Sequence, residues 1–180
     1  MPRTSHELGT CAVELLQLGW EAFRTRDPEP IRVAERMLPE RRRHPGREHG
    51  PHERSVALVC ELLATVRTTV DEDVPFTDRA LREINSLFER GVELLECVRD
   101  AALTENRVLV RHVIGAGAQY AQLAKDYAMA HQQRLQEGVC LPRASSVYLE
   151  LLEQLERMAA HAGQVAQQLA LRQRSSIVVR

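Results

Sequence analysis

The spacing of the prolines is the feature of this 180-residue sequence that most limits its fold. The prolines are at positions 2, 28, 30, 39, 45, 51, 75 and 142, so none occurs between residues 76 and 141. Because proline inside an α-helix removes a hydrogen bond and clashes with the preceding turn, long helices are expected between these positions. Aromatic residues make up only 4% of the chain. The core must therefore be mainly aliphatic, which favours helices over sheets.

Apolar residues recur at three- and four-residue intervals in six segments, which predicts an all-α protein of six helices. The first, second, third and fifth are expected at about residues 5–25, 31–38, 52–70 and 105–137, and the fourth follows Thr77 with an apolar stripe that extends to Val98. Thr77 is a good N-cap for the fourth helix, and Gly138 is a natural end for the fifth. The sixth is expected to begin near Ser145, capped by Ser145 or Ser146, and to give way to a flexible tail over residues 172–180. The run Ile177–Val179 is too short to predict a strand.

Composition excludes several classes of protein. The 24 basic and 25 acidic residues nearly balance, which argues against an electrostatic nucleic-acid binder. No stretch approaches the roughly 20 apolar residues of a membrane span, and the N-terminus lacks the apolar core of a signal peptide. The cysteines are widely spaced and are expected to be reduced thiols in a cytoplasmic protein: Cys11, Cys60, Cys97 and Cys140. Gly115 and Gly117 follow no strand, so they predict close helix–helix approach rather than a dinucleotide-binding loop.

Two short segments recur in the same order along the chain. The sequence Val-Glu-Leu-Leu occurs at residues 13–16 and again at 92–95, and Glu-Leu-Leu occurs at 61–63 and again at 150–152. The helix–turn–helix–loop–helix layout around them is also the same. We therefore predict two tandem three-helix bundles, residues 1–74 and 75–171, related by a pseudo-twofold internal repeat within one compact domain.

Motifs in the second half resemble those of a known family. They are the helix start around Thr77 and Glu83, the segment from His131 to Gly138, and the segment from Ser145 to His161. These resemble the PhoU family of phosphate-uptake regulators, and most closely the PhoU-like cytosolic domain of bacterial sodium/phosphate cotransporters. From these motifs we take six residues as candidate site residues: His131, Arg134, Ser146, Tyr148, Arg157 and His161.

The resemblance implies a cytoplasmic accessory protein without enzymatic activity. Such a protein would modulate phosphate transport or phosphate signalling through protein–protein contacts. Its partner would be a phosphate transporter or a phosphate-sensing protein. Association with a membrane would be peripheral only, and no nucleic acid is expected to bind.

Many PhoU proteins bind iron or zinc through pairs of carboxylates four residues apart, which lie on one helix face. Here each such pair retains at most one carboxylate, and the candidate ligands that remain are Glu35, Asp71 and Glu156. The positions where the resemblance would place their partners hold Pro39, Arg67 and Ala160. No iron or zinc cofactor is therefore expected.

A basic loop is the other candidate site. Arg41, Arg42, Arg43 and Arg47 could contact a lipid headgroup, a phosphate or an acidic partner surface, although a solvated turn is the simpler interpretation. His44, His49 and His52 could bind a transition metal. Two further functions remain open, a homodimeric helical scaffold unrelated to phosphate and a metal-binding helical bundle. A di-metal enzyme is disfavoured because Glu-x-x-His does not occur in the sequence.

Overall fold

A computed structural model describes residues 4–38, 50–139 and 141–178, with side chains as far as Ser175, and its regular structure is entirely α-helical. The six helices are α1 (Ser5–Thr25), α2 (Glu29–Met37), α3 (Pro51–Asp71), α4 (Asp78–Thr104), α5 (Arg107–Gln136) and α6 (Pro142–Val178). The prediction of an all-α, six-helix protein is confirmed for these residues. Within the same ranges, no helix has the length and apolar character that crossing a membrane requires.

Local signals in the sequence set most helix ends. The Thr77 hydroxyl accepts a hydrogen bond from the Ala80 amide at 3.2 Å, so its predicted role as N-cap of α4 is confirmed. Asn106 caps α5 by accepting from the amides of Val108 and Leu109. Gly138 follows α5 with a φ of 74°, a left-handed conformation that glycine adopts without strain. Thr77 and Asn106 thus mark the starts of α4 and α5, and Gly138 marks the turn after α5.

The two ends of α6 differ from the sequence prediction. The helix begins at Pro142, since proline fits the first turn of a helix, where its missing N–H has no partner to bond. Ser145 and Ser146 therefore lie inside α6 and donate to the carbonyls of Leu141 and Arg143, so their predicted capping role is wrong. At the other end α6 is helical as far as Val178, beyond the predicted end at residue 171.

A four-helix arrangement forms the centre of the molecule. Helices α1, α3, α6 and α4 pack in that cyclic order, with α2 against α1 and α5 against α4 and α6. Hydrogen bonds and ion pairs between helices show the relative directions of these helices. Trp20 donates to Asn85 between the antiparallel helices α1 and α4, while Arg157 and Arg143 pair with Glu61 and Glu72 between α6 and α3. One mainly aliphatic core runs through both halves of the chain.

Candidate functional site

A buried carboxylate joins three helices near the α5–α6 turn. Glu83 of α4 is only 6% exposed, and Arg134 of α5 is 8% exposed. The two terminal nitrogens of Arg134 donate to the two oxygens of Glu83 at 3.2 and 2.7 Å. The hydroxyl of Tyr148, on α6, donates to Glu83 Oε2 at 2.6 Å. This fork-like pairing fixes the orientation of both charged groups.

The histidine of the same motif completes the group. The ring of His131 stacks on the ring of Tyr148, with centroids 4.2 Å apart and an angle of 27° between the planes. From the solvent side, Arg79 Nε donates to Glu83 Oε1 at 3.0 Å. The Glu83 carboxylate thus accepts four hydrogen bonds from three side chains. We call the buried residues Glu83, His131, Arg134 and Tyr148 the polar cluster.

Burial and hydrogen bonding act in opposite directions on the pKa of Glu83. Burial raises that pKa, but hydrogen bonds from Tyr148, Arg134 and Arg79 together outweigh it and hold the pKa below its ordinary value. Burial and the neighbouring carboxylate raise the pKa of Tyr148. For His131, burial and the nearby Arg134 charge lower the pKa. At neutral pH the polar cluster therefore contains one carboxylate and one guanidinium, with neutral tyrosine and histidine.

This arrangement is suited to holding helices rather than to transforming a substrate. The carboxylate is saturated with donors, and each member of the polar cluster is at most 8% exposed. A general acid or base needs a proton that it can exchange with a substrate within reach. Glu83 has no such freedom, because its oxygens are occupied by charged and hydroxyl donors. What the polar cluster does is set the relative positions of α4, α5 and α6.

Replacement of His131 by Gln is expected to weaken the dependence of stability on pH. The unfolded chain binds a proton at His131 as the pH falls through the ordinary pKa of 6.5, whereas the folded chain, whose His131 pKa is lower, does not. The unfolded state then binds more protons, so folding loses free energy by up to about 1.4 kcal/mol per pH unit. Urea unfolding between pH 7.5 and 5.5 measures this loss, which should be smaller for H131Q. An unchanged pH dependence in H131Q would contradict the neutral, buried state of His131.

The remaining motif residues lie elsewhere on α6, and two of them contact α3. Arg157 pairs with Glu61 at 2.8 Å, with both side chains about half exposed. His161 Nε2 donates to the carbonyl of Pro51 at 2.7 Å. Burial, His161 and Arg172 lower the pKa of His52. The six motif residues therefore separate into three that meet in the polar cluster and three on α6 that do not.

Glu83 was missed as a site residue, although the sequence contains a signal for it. Ala80, Glu83 and Leu87 follow the three- and four-residue spacing of the buried stripe of α4, so Glu83 is an acidic residue on an apolar face. A buried carboxylate requires a partner. Arg134 is the basic motif residue that is buried with it.

The candidate metal ligands are each paired with a basic side chain. Arg67 is hydrogen-bonded to Glu35 and, at 3.4 Å, to Asp71. Lys125 Nζ is 3.6 Å from a carboxylate oxygen of Glu156. The guanidinium of Arg67 thus brings the first two carboxylates together and supplies the positive charge that a cation would otherwise provide.

Metal binding by these groups is not favoured by their geometry. Across the part of the chain that the structure describes, no three His, Cys, Asp or Glu side chains are grouped so as to hold a metal ion. The predicted anion-binding residues Arg41, Arg42, Arg43 and Arg47, with His44 and His49, lie outside the described residues.

Comparison with known proteins assigns the chain to no group. No protein-family model matches it, and neither a curated protein nor a solved structure shows significant similarity. Functional inference must therefore start from the residues and their arrangement. The convergence of His131, Arg134 and Tyr148 on one buried carboxylate is the most specific arrangement among the described residues.

Proposed function

We propose that this protein is a non-enzymatic, PhoU-like accessory protein that modulates phosphate transport or phosphate signalling by binding another protein. The observation that supports it is the polar cluster. Three motif residues that carry the resemblance, from segments 14 to 17 positions apart in sequence, contact one another or a shared carboxylate. Residues of motifs that belong to one fold are expected to meet in this way.

The packing of the helices supports the proposed internal repeat. If α1, α2 and α3 correspond to α4, α5 and α6, the contacts of α1 with α4 and of α3 with α6 each join equivalent helices. Both contacts are antiparallel, as a twofold axis perpendicular to these helices would produce. The contacts of α4, α5 and α6 with one another are those expected of the second proposed three-helix unit.

Exposed apolar side chains support a function in protein binding. Leu135, Val139 and Leu141 lie around the α5–α6 turn, close in sequence to the polar cluster, and Val139 and Leu141 are about 60% exposed. Large apolar side chains grouped on a surface commonly mark contact sites. We call Leu135, Val139 and Leu141 the turn patch. The polar cluster holds the turn patch by fixing the two helices that flank it.

The test identifies the proteins that copurify with this chain at low and at high phosphate. The tagged chain, expressed in its native host at low and high phosphate, is expected to copurify with a phosphate transporter or a phosphate sensor. Deletion of the gene is expected to change the uptake of labelled phosphate. A variant with Val139→Ser and Leu141→Ser should lose the partner while keeping its melting temperature. The proposal would be overturned if no such protein copurifies and if deletion leaves phosphate uptake unchanged.

A homodimeric scaffold is the second candidate function. It is favoured by the outer side of α5, which carries exposed apolar side chains at both ends. In this case the chain would organise other proteins through a symmetric pair of turn patches. The scaffold and the phosphate-related function differ in the deletion experiment, because only the latter predicts altered phosphate uptake.

A further inference from the structure

One side of α5 is left uncovered by the rest of the bundle. The helix packs on α4 and α6, so its third side faces solvent. Nine exposed residues lie there within an arc of about 80°, at the 100° per residue of an α-helix. Two of them, Gln133 and Gln136, lie toward the C-terminal end of α5, and we call the other seven the α5 outer face. They are Val108, Arg111, Gly115, Ala118, Gln122, Asp126 and Met129. Between Arg111 and Asp126 the α5 outer face carries no charge.

Two complementary pairs of residues on the α5 outer face lie at equal distances from its centre. Val108 and Met129 are large apolar side chains at its two ends, 65% and 61% exposed. Arg111 and Asp126, which have opposite charges, are the next residues inward, and Gly115 and Gln122 follow. Each of these pairs is equidistant from the midpoint between Ala118 and Gln119. A surface that contacts its own copy through a twofold axis requires this kind of self-complementarity.

We infer that the α5 outer face binds the same face of a second copy of this chain, with the two α5 helices antiparallel. The twofold axis passes between Ala118 and Gln119. Val108 of each protomer then packs on Met129 of the other, and Arg111 faces Asp126, over a contact about 30 Å long. The inference does not depend on the proposed role in phosphate transport or signalling.

The charges of Arg111 and Asp126 argue that the partner is a second copy of this chain. The structure describes no ion pair for either Arg111 or Asp126; Asp126 accepts a hydrogen bond from Gln122 at 2.9 Å. Within one chain the two residues cannot meet, because 15 positions along a helix separate them by about 22 Å. In the antiparallel pair they form two equivalent contacts between opposite charges. The nearby Lys125 lies beside Glu156 of its own chain.

Gly115 is a separate observation in favour of a close contact. A glycine inside a helix is unfavourable relative to alanine, and a Cβ added at Gly115 would meet no other atom of the chain within 4 Å. The fold of the single chain therefore does not explain this glycine. In the antiparallel pair, Gly115 faces the longer Gln122 side chain and lets the two backbones approach.

Sedimentation velocity on the full chain tests the inference. Interfaces that bury less than about 1,200 Å² are commonly weak. The chain is therefore measured at concentrations from about 200 µM downward, so that a weak dimer is still detected. The unmodified chain is expected to dimerise. Arg111→Asp and Asp126→Arg should each place like charges opposite one another and raise the dissociation constant about tenfold or more. The double variant R111D/D126R exchanges the charges and should restore the dimer.

The controls distinguish loss of this interface from other causes of a change in dimerisation. Arg90→Asp changes an exposed arginine on α4 and should leave the dimer unchanged, and melting curves should show all variants folded, since the changed side chains are exposed. A monomer at every concentration, a dimer insensitive to R111D, or failure of R111D/D126R to recover dimerisation would each overturn the inference. Dissociation of the dimer by R90D would overturn it as well.

Discussion

Replacement of Glu83 by Gln is expected to lower the free energy of unfolding by about 3–5 kcal/mol, the usual cost of removing one partner of a buried ion pair. Gln retains the shape of the side chain and an oxygen for Tyr148, but it leaves the buried Arg134 without its carboxylate. For a chain of this size the melting temperature should fall by about 6–20 °C. Urea unfolding at pH 7 provides the measurement.

The matched control is the other arginine on the same carboxylate. Arg79 also bonds Glu83, but its side chain is 60% exposed, so Arg79→Gln should cost less than about 1 kcal/mol. Met in place of Arg134, combined with E83Q, should recover part of the loss because no charge is left buried. Equal and small effects of E83Q and R79Q would contradict the view that the polar cluster fixes the helices.

The effect of E83Q should also depend on pH. The pKa of Glu83 is lower in the folded chain than its ordinary value of 4.5. Its charge therefore contributes stability above pH 4.5, and that contribution is lost as the pH falls through the lower, folded value. The difference in stability between the unmodified chain and E83Q should be largest near neutral pH and decrease below pH 4.5.

Replacement of Gly117 by Leu is expected to destabilise the chain by about 3 kcal/mol or more, because the new side chain would force α5 away from α6. A Cβ at this position would be 3.3 Å from the carbonyl oxygen of Ala159 and 3.6 Å from the Cα of Gly163, both of which are backbone atoms of α6. Backbone atoms cannot move aside as a flexible side chain can.

Gly115, two residues earlier, is the control for that substitution. A side chain there meets open space, so Gly115→Leu should stabilise the single chain by up to about 1 kcal/mol through helix propensity. Chemical denaturation at about 1 µM protein keeps self-association from contributing. The two variants should thus change stability in opposite directions, and a similar loss for both would contradict the described packing of α5.

The helices were more predictable from sequence than the contacts between them. Thr77 and Gly138 act within one turn of the chain, so their roles could be recognised locally. The extended end of α6 makes a contact distant in sequence, in which Gln173 donates to the carbonyl of Glu105 at 2.6 Å. No local pattern around residue 171 indicates that contact.

In the candidate site too, the individual residues were more predictable from sequence than the contacts between them. Motifs identified His131, Arg134 and Tyr148 individually, but their meeting at Glu83 depends on how α4, α5 and α6 pack. Gly115 and Gly117 were both expected to permit close approach of helices. They lie on different sides of α5, and only Gly117 contacts α6. Sequence alone could not determine which side of α5 faces the core.

The position of α6 has a consequence for the order of synthesis on the ribosome. Helix α3 packs between α1 and α6, yet α6 emerges about 100 residues after α3. Synthesis proceeds at about 5–20 residues per second, so the apolar face of α3 that α6 covers stays exposed for roughly 5–20 s before α6 is made. We therefore expect chaperones to bind this chain mainly while its N-terminal half has emerged and α6 has not.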